Sequence, residues 1–443
     1  MSRKPGTRAL LLVLVTAAIV PLSVATPVTA NEALEWNSIA LDVAVANGQN
    51  PIIHSRTLAM VHLAMHDALN AIEQRYEPYV LHRRAERDTA PAAAIATAAR
   101  DVLAALLPHY GTPVQRQKAQ EMLDQAYAAA LSKTPDSPQK GHGIAIGRAA
   151  ATAMLTARKH DGADRKPSYS PRMAAGHWRP HPNPVPANPP IADAALAPGN
   201  WPAILPQWAE VTPFVMATPW QFRLPGPPAL ASEQYVRDFD EVKRLGAKTS
   251  VDRTAAQAEI ARYWYESSPA GWSRIARVVA AQRGSDIWDS ARLLALVNAA
   301  IADGYIAGAD TRYLYDFWRP VTAIRTADTD GNDATAVDGA WESFLNTPPL
   351  PDYPSTHSVA GGAAAAVLMR FFGSDQVAFT MNSGAPFAGI TRSFSSFSQA
   401  AQENADSRVY AGIHFRTACQ DGITLGNSIG RRAFNQYLQP YRP

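Results

Sequence analysis

What is scarce in this 443-residue chain narrows its fold before any motif is considered. Cys419 is the only cysteine, so no disulfide framework can hold the fold and stability has to come from packing. Charge of one sign is missing as well. The formal +3 is carried entirely by Arg3, Lys4 and Arg8, and everything after residue 30 is neutral. A neutral chain has no electrostatic footprint for nucleic acid or an anionic membrane. Period-two alternation of apolar and polar residues is nearly absent, which argues against sheets, and no internal repeat is found. After residue 30, no apolar run is expected to reach the length of a membrane span; "VAGGAAAAVLMRFF" is too short.

The first thirty residues combine that basic start with "ALLLVLVTAAIVPLSVA" and the small-residue sequence "VTA". They read as a secretory signal cut after Ala30, so the expected location is periplasmic or extracellular. Residues 31–165 show apolar positions at three- and four-residue spacing in Ala-, Leu- and Gln-rich segments, the pattern of a helical half. Between Pro167 and Pro228 lie sixteen of the 35 prolines, with Trp178, Trp201, Trp208 and Trp220 among them. Proline at that density excludes long helices, and the tryptophans argue against disorder. Residues 166–230 therefore read as an ordered connecting wrap. Helical periodicity resumes over 231–443, and the fold class is all-α.

Three clusters carry chemistry. In "PDYPSTHSVAGG" the sequence enters a helix through Ser355, Thr356 and His357. Such a helix start either caps itself through a hydroxyl or offers backbone N–H groups to an oxyanion. Arg312 and Arg319 stand seven apart, on one face of a helix expected to run up to Pro320, with Asp316 between them to pair with either. Trp318 and its aromatic neighbours suggest partly buried guanidiniums rather than a solvated ladder. In "SRVYAGIHFRTACQDG", Gly412 separates Arg408 from His414, so the two can belong to different elements and still converge. Three guanidiniums, two imidazoles and a hydroxyl are the parts needed to hold a tetrahedral oxyanion and to do acid–base or nucleophilic chemistry on it.

Taken in order, Arg312–Arg319–Pro320, "PSTH" at 354–357 and "SRVYAGIH" at 407–414 resemble the signature of the vanadium-dependent haloperoxidase and type 2 phosphatidic acid phosphatase superfamily. Likeness in "WNSIALDVAVANG", "LAMVHLAMHDALNAI" and "YDFWRPVTAIR" points to its soluble bacterial haloperoxidase-like branch. The resemblance implies two packed four-helix bundles with the anion site in the C-terminal half. Carried over by position, Arg312, Arg319, Arg408, Ser355 and the Thr356 N–H would bind the oxygens of vanadate or phosphate. His414 would coordinate vanadium or attack phosphorus, and His357 would be the general acid–base. The implied activity is halide oxidation by hydrogen peroxide; the alternative on the same parts is an acid phosphatase acting on a phosphate ester through a phosphohistidine, without a cofactor. A non-catalytic phosphate-binding scaffold is a third reading, and a homodimer is left open. Three departures stand out: Arg312 replaces Lys, Thr356 replaces Gly, and Ala418 stands where an Asp supporting His414 is expected. Asp421, one further turn along, is the expected substitute, and Trp318 is expected beside the halide pocket.

Overall fold

The computed structural model describes residues 1, 31–181 and 203–442. The expected signal and its cut lie outside the described residues, as does Trp201. Residues 31–443 form one contact unit.

Five helices build the first half: α1 (Glu32–Ala46), α2 (Pro51–Ile72), α3 (Pro91–Leu106), α4 (Pro113–Ser132) and α5 (Pro138–Ala157). The sequence signals their starts. Asn50, Thr112 and Ser137 cap through their side chains, and proline stands in the first turn of α2 to α5, where its missing N–H removes no bond. The second half holds α6 (Glu233–Leu245), α7 (Ala255–Tyr263), α8 (Ser268–Gln282), α9 (Ile287–Tyr315), α10 (Pro320–Arg325), α11 (Thr356–Phe371), α12 (Phe397–Tyr410) and α13 (Arg416–Gln436). Helix α9 is the spine, packing on α2 of the first half and on α11 and α13 of the second. Its apolar residues go all round because it is covered on every side.

Two stretches, Pro91–His109 and Ile287–Tyr315, do reach the length and hydropathy of a membrane span, contrary to expectation. Alanine gives both their apolar character without a conspicuous Leu/Ile run. In α9, 94% of the qualifying window is buried inside the protein. The near-absence of strand pattern also has an exception, a two-stranded hairpin of β1 (Phe379–Asn382) and β2 (Thr391–Phe394), with Phe379 paired to Phe394.

The described parts of the connecting wrap are ordered by specific bonds onto α9. Asp303 accepts the backbone N–H groups of Phe214, Val215 and Met216 at 2.6, 2.8 and 2.7 Å. Tyr313 and Tyr315 donate their hydroxyls to the carbonyls of Ile204 and Leu224 at 2.6 and 2.8 Å. Trp178 and Trp208 are buried, whereas Trp220 is exposed.

Candidate active site

The helix carrying Arg312 ends sooner than its spacing suggests. Pro320 disfavours helical backbone at Arg319, which is extended (φ −82°, ψ 156°) and caps α10. The chain leaves α9 at Tyr315 and turns at Asp316 in the left-handed region (φ 55°). Arg312 and Arg319 thus approach from two elements rather than along one helical face. Asp316 pairs with neither of them. Its carboxylate takes Tyr169, Arg172 and His177 of the wrap.

Arg312 donates to the Pro354 carbonyl at 2.8 Å and to Thr356 Oγ1 at 3.3 Å, tying α9 to the start of α11. Arg319 is fully buried and donates to the carbonyls of Leu350 and Ile413, both at 2.7 Å. Arg408, in the last turn of α12, donates to the Trp264 carbonyl at 3.1 Å. Gly412 (φ +78°) makes the break between α12 and α13. A Cβ there would lie 2.2 Å from the Gly246 carbonyl, so no other residue fits the turn. That turn delivers His414 to Arg319, with Nη1 2.9 Å from His414 Nε2.

Ser355 combines two roles that looked like alternatives. It caps α11, its Oγ accepting from Ser358 N–H at 3.4 Å and Ser358 Oγ–H at 3.1 Å, while its own hydroxyl proton remains to be donated. The first-turn N–H groups of α11 have no intrahelical acceptor, and they point the positive end of the helix dipole outward. His357 Nε2 lies 3.2 Å from the Glu266 carbonyl, which can only accept, so the proton sits on Nε2 and Nδ1 is bare. His357 is half-buried where the arginines and His414 are closed in. The carboxylate of Glu266 is engaged elsewhere, by Arg274 and the Gly384 N–H.

Burial sets the electrostatics. It holds both imidazoles well below their ordinary value, helped by Arg408 at His357 and by Arg319 at His414, so both are neutral near pH 7. Burial also pushes Arg312 and Arg408 down to about 10, where they stay charged.

The carboxylate at His414 is not Asp421, which accepts the Tyr353 hydroxyl at 2.6 Å. It is Asp352, fully buried, with Oδ1 2.9 Å from His414 Nδ1 and 3.6 Å from Arg319 Nη1. Asp352 stands in the quoted "PDYPSTH", but nothing in linear order links it to a histidine 62 positions on. Its one sequence signal is its place in the rigid Pro351–Pro354 stretch. Trp318 is fully buried in a second apolar cluster with Tyr235, Phe239 and Val321. Cys419 is buried, its thiol pushed up to about 12 by desolvation.

The cluster has room for an anion electrically and chemically. Burial pushes the Asp352 carboxyl up to about 7, so three guanidiniums against it leave a net charge of at least +2, and buried Arg312 Nε, Arg319 Nη2 and Arg408 Nε have no hydrogen-bond partner. Buried charge of that size with unspent donors fits a tetrahedral oxyanion and disfavours a neutral ligand. An all-α scaffold that brings such a cradle onto two neutral imidazoles defines an oxyanion-holding member of the helical-bundle class.

The family models agree. Residues 28–194 match the vanadium chloroperoxidase N-terminal domain and residues 292–443 the second helical-bundle domain of the same proteins. The chain belongs to the vanadium haloperoxidase family. Vanadium chloroperoxidase of Curvularia inaequalis is 25% identical over 265 residues, 45% of this chain and 44% of that protein, so the match spans less than half of that relative. The fold is similar to the crystal structure of the first bacterial vanadium-dependent iodoperoxidase (TM-score 0.77, 24% identity, 93% of this chain and 98% of that one). It is also similar to an apo-type bacterial vanadium-dependent chloroperoxidase (TM-score 0.70, 21% identity, 87% and 93%).

Proposed function

We propose that this chain is an exported vanadium-dependent haloperoxidase that oxidises halide with hydrogen peroxide. The observation that carries the reading is the buried +2 cradle with unspent guanidinium donors beside neutral His414. Vanadate fits it: Arg312, Arg319, Arg408, the Ser355 hydroxyl and the Thr356 N–H would hold its oxygens, and His414 would hold the metal. Bound vanadate supplies Lewis-acid activation of hydrogen peroxide. The protein's own groups do the rest. The guanidiniums neutralise oxyanion charge in a site too dry for water to screen it. His357, bare at Nδ1, accepts and returns a proton at the half-buried mouth. The apolar run before Ala30 supports export.

One observation favours a second reading, a phosphatase acting through phosphohistidine. Arg312, in the place of Lys, is tied to Pro354 and Thr356, so it serves as a fixed anion clamp more readily than as a mobile donor to peroxide. The same +2 cradle accepts phosphate, and His414 is positioned as nucleophile.

The deciding experiment uses chain from Asn31 onward, freed of phosphate and reconstituted with orthovanadate. Peroxide-dependent bromination of a diketone dye and iodide oxidation are followed beside a His414→Ala control. Vanadate-dependent turnover, lost in the variant, is expected. Hydrolysis of a simple phosphate ester, inhibited by vanadate and without halide oxidation, would transfer the assignment to the phosphatase.

A further inference from the structure

We infer that Asp352 is the positioning residue for His414: it holds the imidazole as the Nδ1–H tautomer and so keeps Nε2 bare for the group bound in the cradle. The inference rests on the haloperoxidase reading for what Nε2 then does. The tautomer itself follows from the carboxylate beside Nδ1. Nε2 lies 2.9 Å from Arg319 Nη1. The same Nη1 stands 3.2 Å from Nδ1, so the guanidinium does not by itself choose between the two ring nitrogens. Nδ1 lies 2.9 Å from Asp352 Oδ1, and a carboxylate can only accept, which places the proton on Nδ1.

The other group facing this carboxylate is the Phe415 backbone N–H. Asp352 is fully buried, and the side chains in contact with its carboxylate are His414 and Arg319. Its backbone is pinned as well, its N–H donating to the Phe317 carbonyl at 2.8 Å. Pro351 and Pro354 bracket it, limiting the conformations the segment can adopt. A carboxylate on the segment that starts α11 thus reaches across to the segment that starts α13. The support for His414 comes from the far side of the site, because Ala418 of the following helix has no polar group to offer. A fixed partner on the remote ring nitrogen orients the ring and raises the basicity of the other nitrogen.

This role predicts a split that a structural role does not. Removing Asp352 takes away what negative charge the cradle holds, so attraction for any oxyanion is kept or strengthened, and it also frees the His414 ring to rotate and change tautomer. Inorganic phosphate, when held by charge and hydrogen bonds alone, feels mainly the first effect. Orthovanadate, which also needs the His414 lone pair, feels the second.

The test is titration calorimetry of the anion-free chain from Asn31 with each anion, in wild type, Asp352→Ala and His414→Ala. In Asp352→Ala we expect orthovanadate affinity to fall about 10- to 100-fold, the usual cost of losing such a partner, while phosphate affinity is unchanged or higher. Loss of both affinities together, or of neither, would overturn the inference. The tautomer is read without a folding-sensitive variant, from the imidazole 15N resonances of the wild type, with His414 assigned by His414→Ala. A protonated Nδ1 and a bare Nε2 are expected, and a proton on Nε2 would overturn the assignment. If wild type binds orthovanadate no tighter than phosphate, with His414→Ala indistinguishable, the haloperoxidase reading itself fails. The 15N spectrum then decides the Asp352–His414 pairing alone.

Discussion

Thr356 fills the place of a glycine because α9 makes room for it, and that coupling can be measured. A Cβ added at Gly308 would lie 2.6 Å from Thr356 Cγ2, about 0.9–1.4 Å inside an ordinary carbon–carbon contact of about 3.5–4.0 Å. Thr356 is buried and its hydroxyl accepts from Arg312, so the methyl cannot swing away without loosening that bond. Overpacking of this kind costs about 1–3 kcal/mol. Against it, Gly→Ala inside a helix is worth about 0.5–1 kcal/mol in favour. Gly308→Ala should therefore destabilise by about 1 kcal/mol in the natural background. Thr356→Ser removes only the methyl and keeps the hydroxyl for Arg312; it should cost about 0.8 kcal/mol by itself. In that background Gly308→Ala should become neutral or stabilising. Urea unfolding of the four proteins in phosphate-free buffer gives the cycle, with an expected coupling of about 1–3 kcal/mol. Additivity to within about 0.5 kcal/mol would refute the packing argument. The same variants bear on the site, because Gly308→Ala alone should weaken phosphate binding and Thr356→Ser should restore it.

Two further outcomes test the scaffold. Asp303→Ala leaves three buried backbone N–H groups of the wrap without an acceptor and should cost about 3–5 kcal/mol in urea unfolding; a loss under about 1 kcal/mol would mean the wrap is held by other contacts. His62 is fully buried against Asn37, and desolvation lowers its pKa to about 3. The folded state therefore refuses a proton that the unfolded chain accepts below its ordinary value of 6.5, so this contribution is present above pH 6.5 and is lost as pH falls toward 3. Between pH 7 and 5 the stability gap between wild type and His62→Gln should close by about 2 kcal/mol, and a gap that stays constant would place the lowered value in doubt.

The all-α class, the helix starts marked by Ser, Thr and Asn caps with following proline, and the three stretches that supply the cradle are written into local sequence. These are local matters: periodicity, capping and proline chemistry act within a few residues. Arg312, Arg319, Ser355, His357, Arg408 and His414 could be named as a set because each carries its own charge or hydrogen-bonding chemistry. The tertiary structure decided which groups pair. Asp316 goes to the wrap, Asp421 to Tyr353, and Asp352 to His414. A carboxylate's partner depends on which elements pack together, and buried pairings join residues far apart in the chain. The same is true of Thr356, whose tolerance depends on Gly308 of a different helix. Even the reach of α9 toward Arg319 was settled by Asp316 and Pro320, where a left-handed turn ends the helix and sends the second guanidinium into the site by another route.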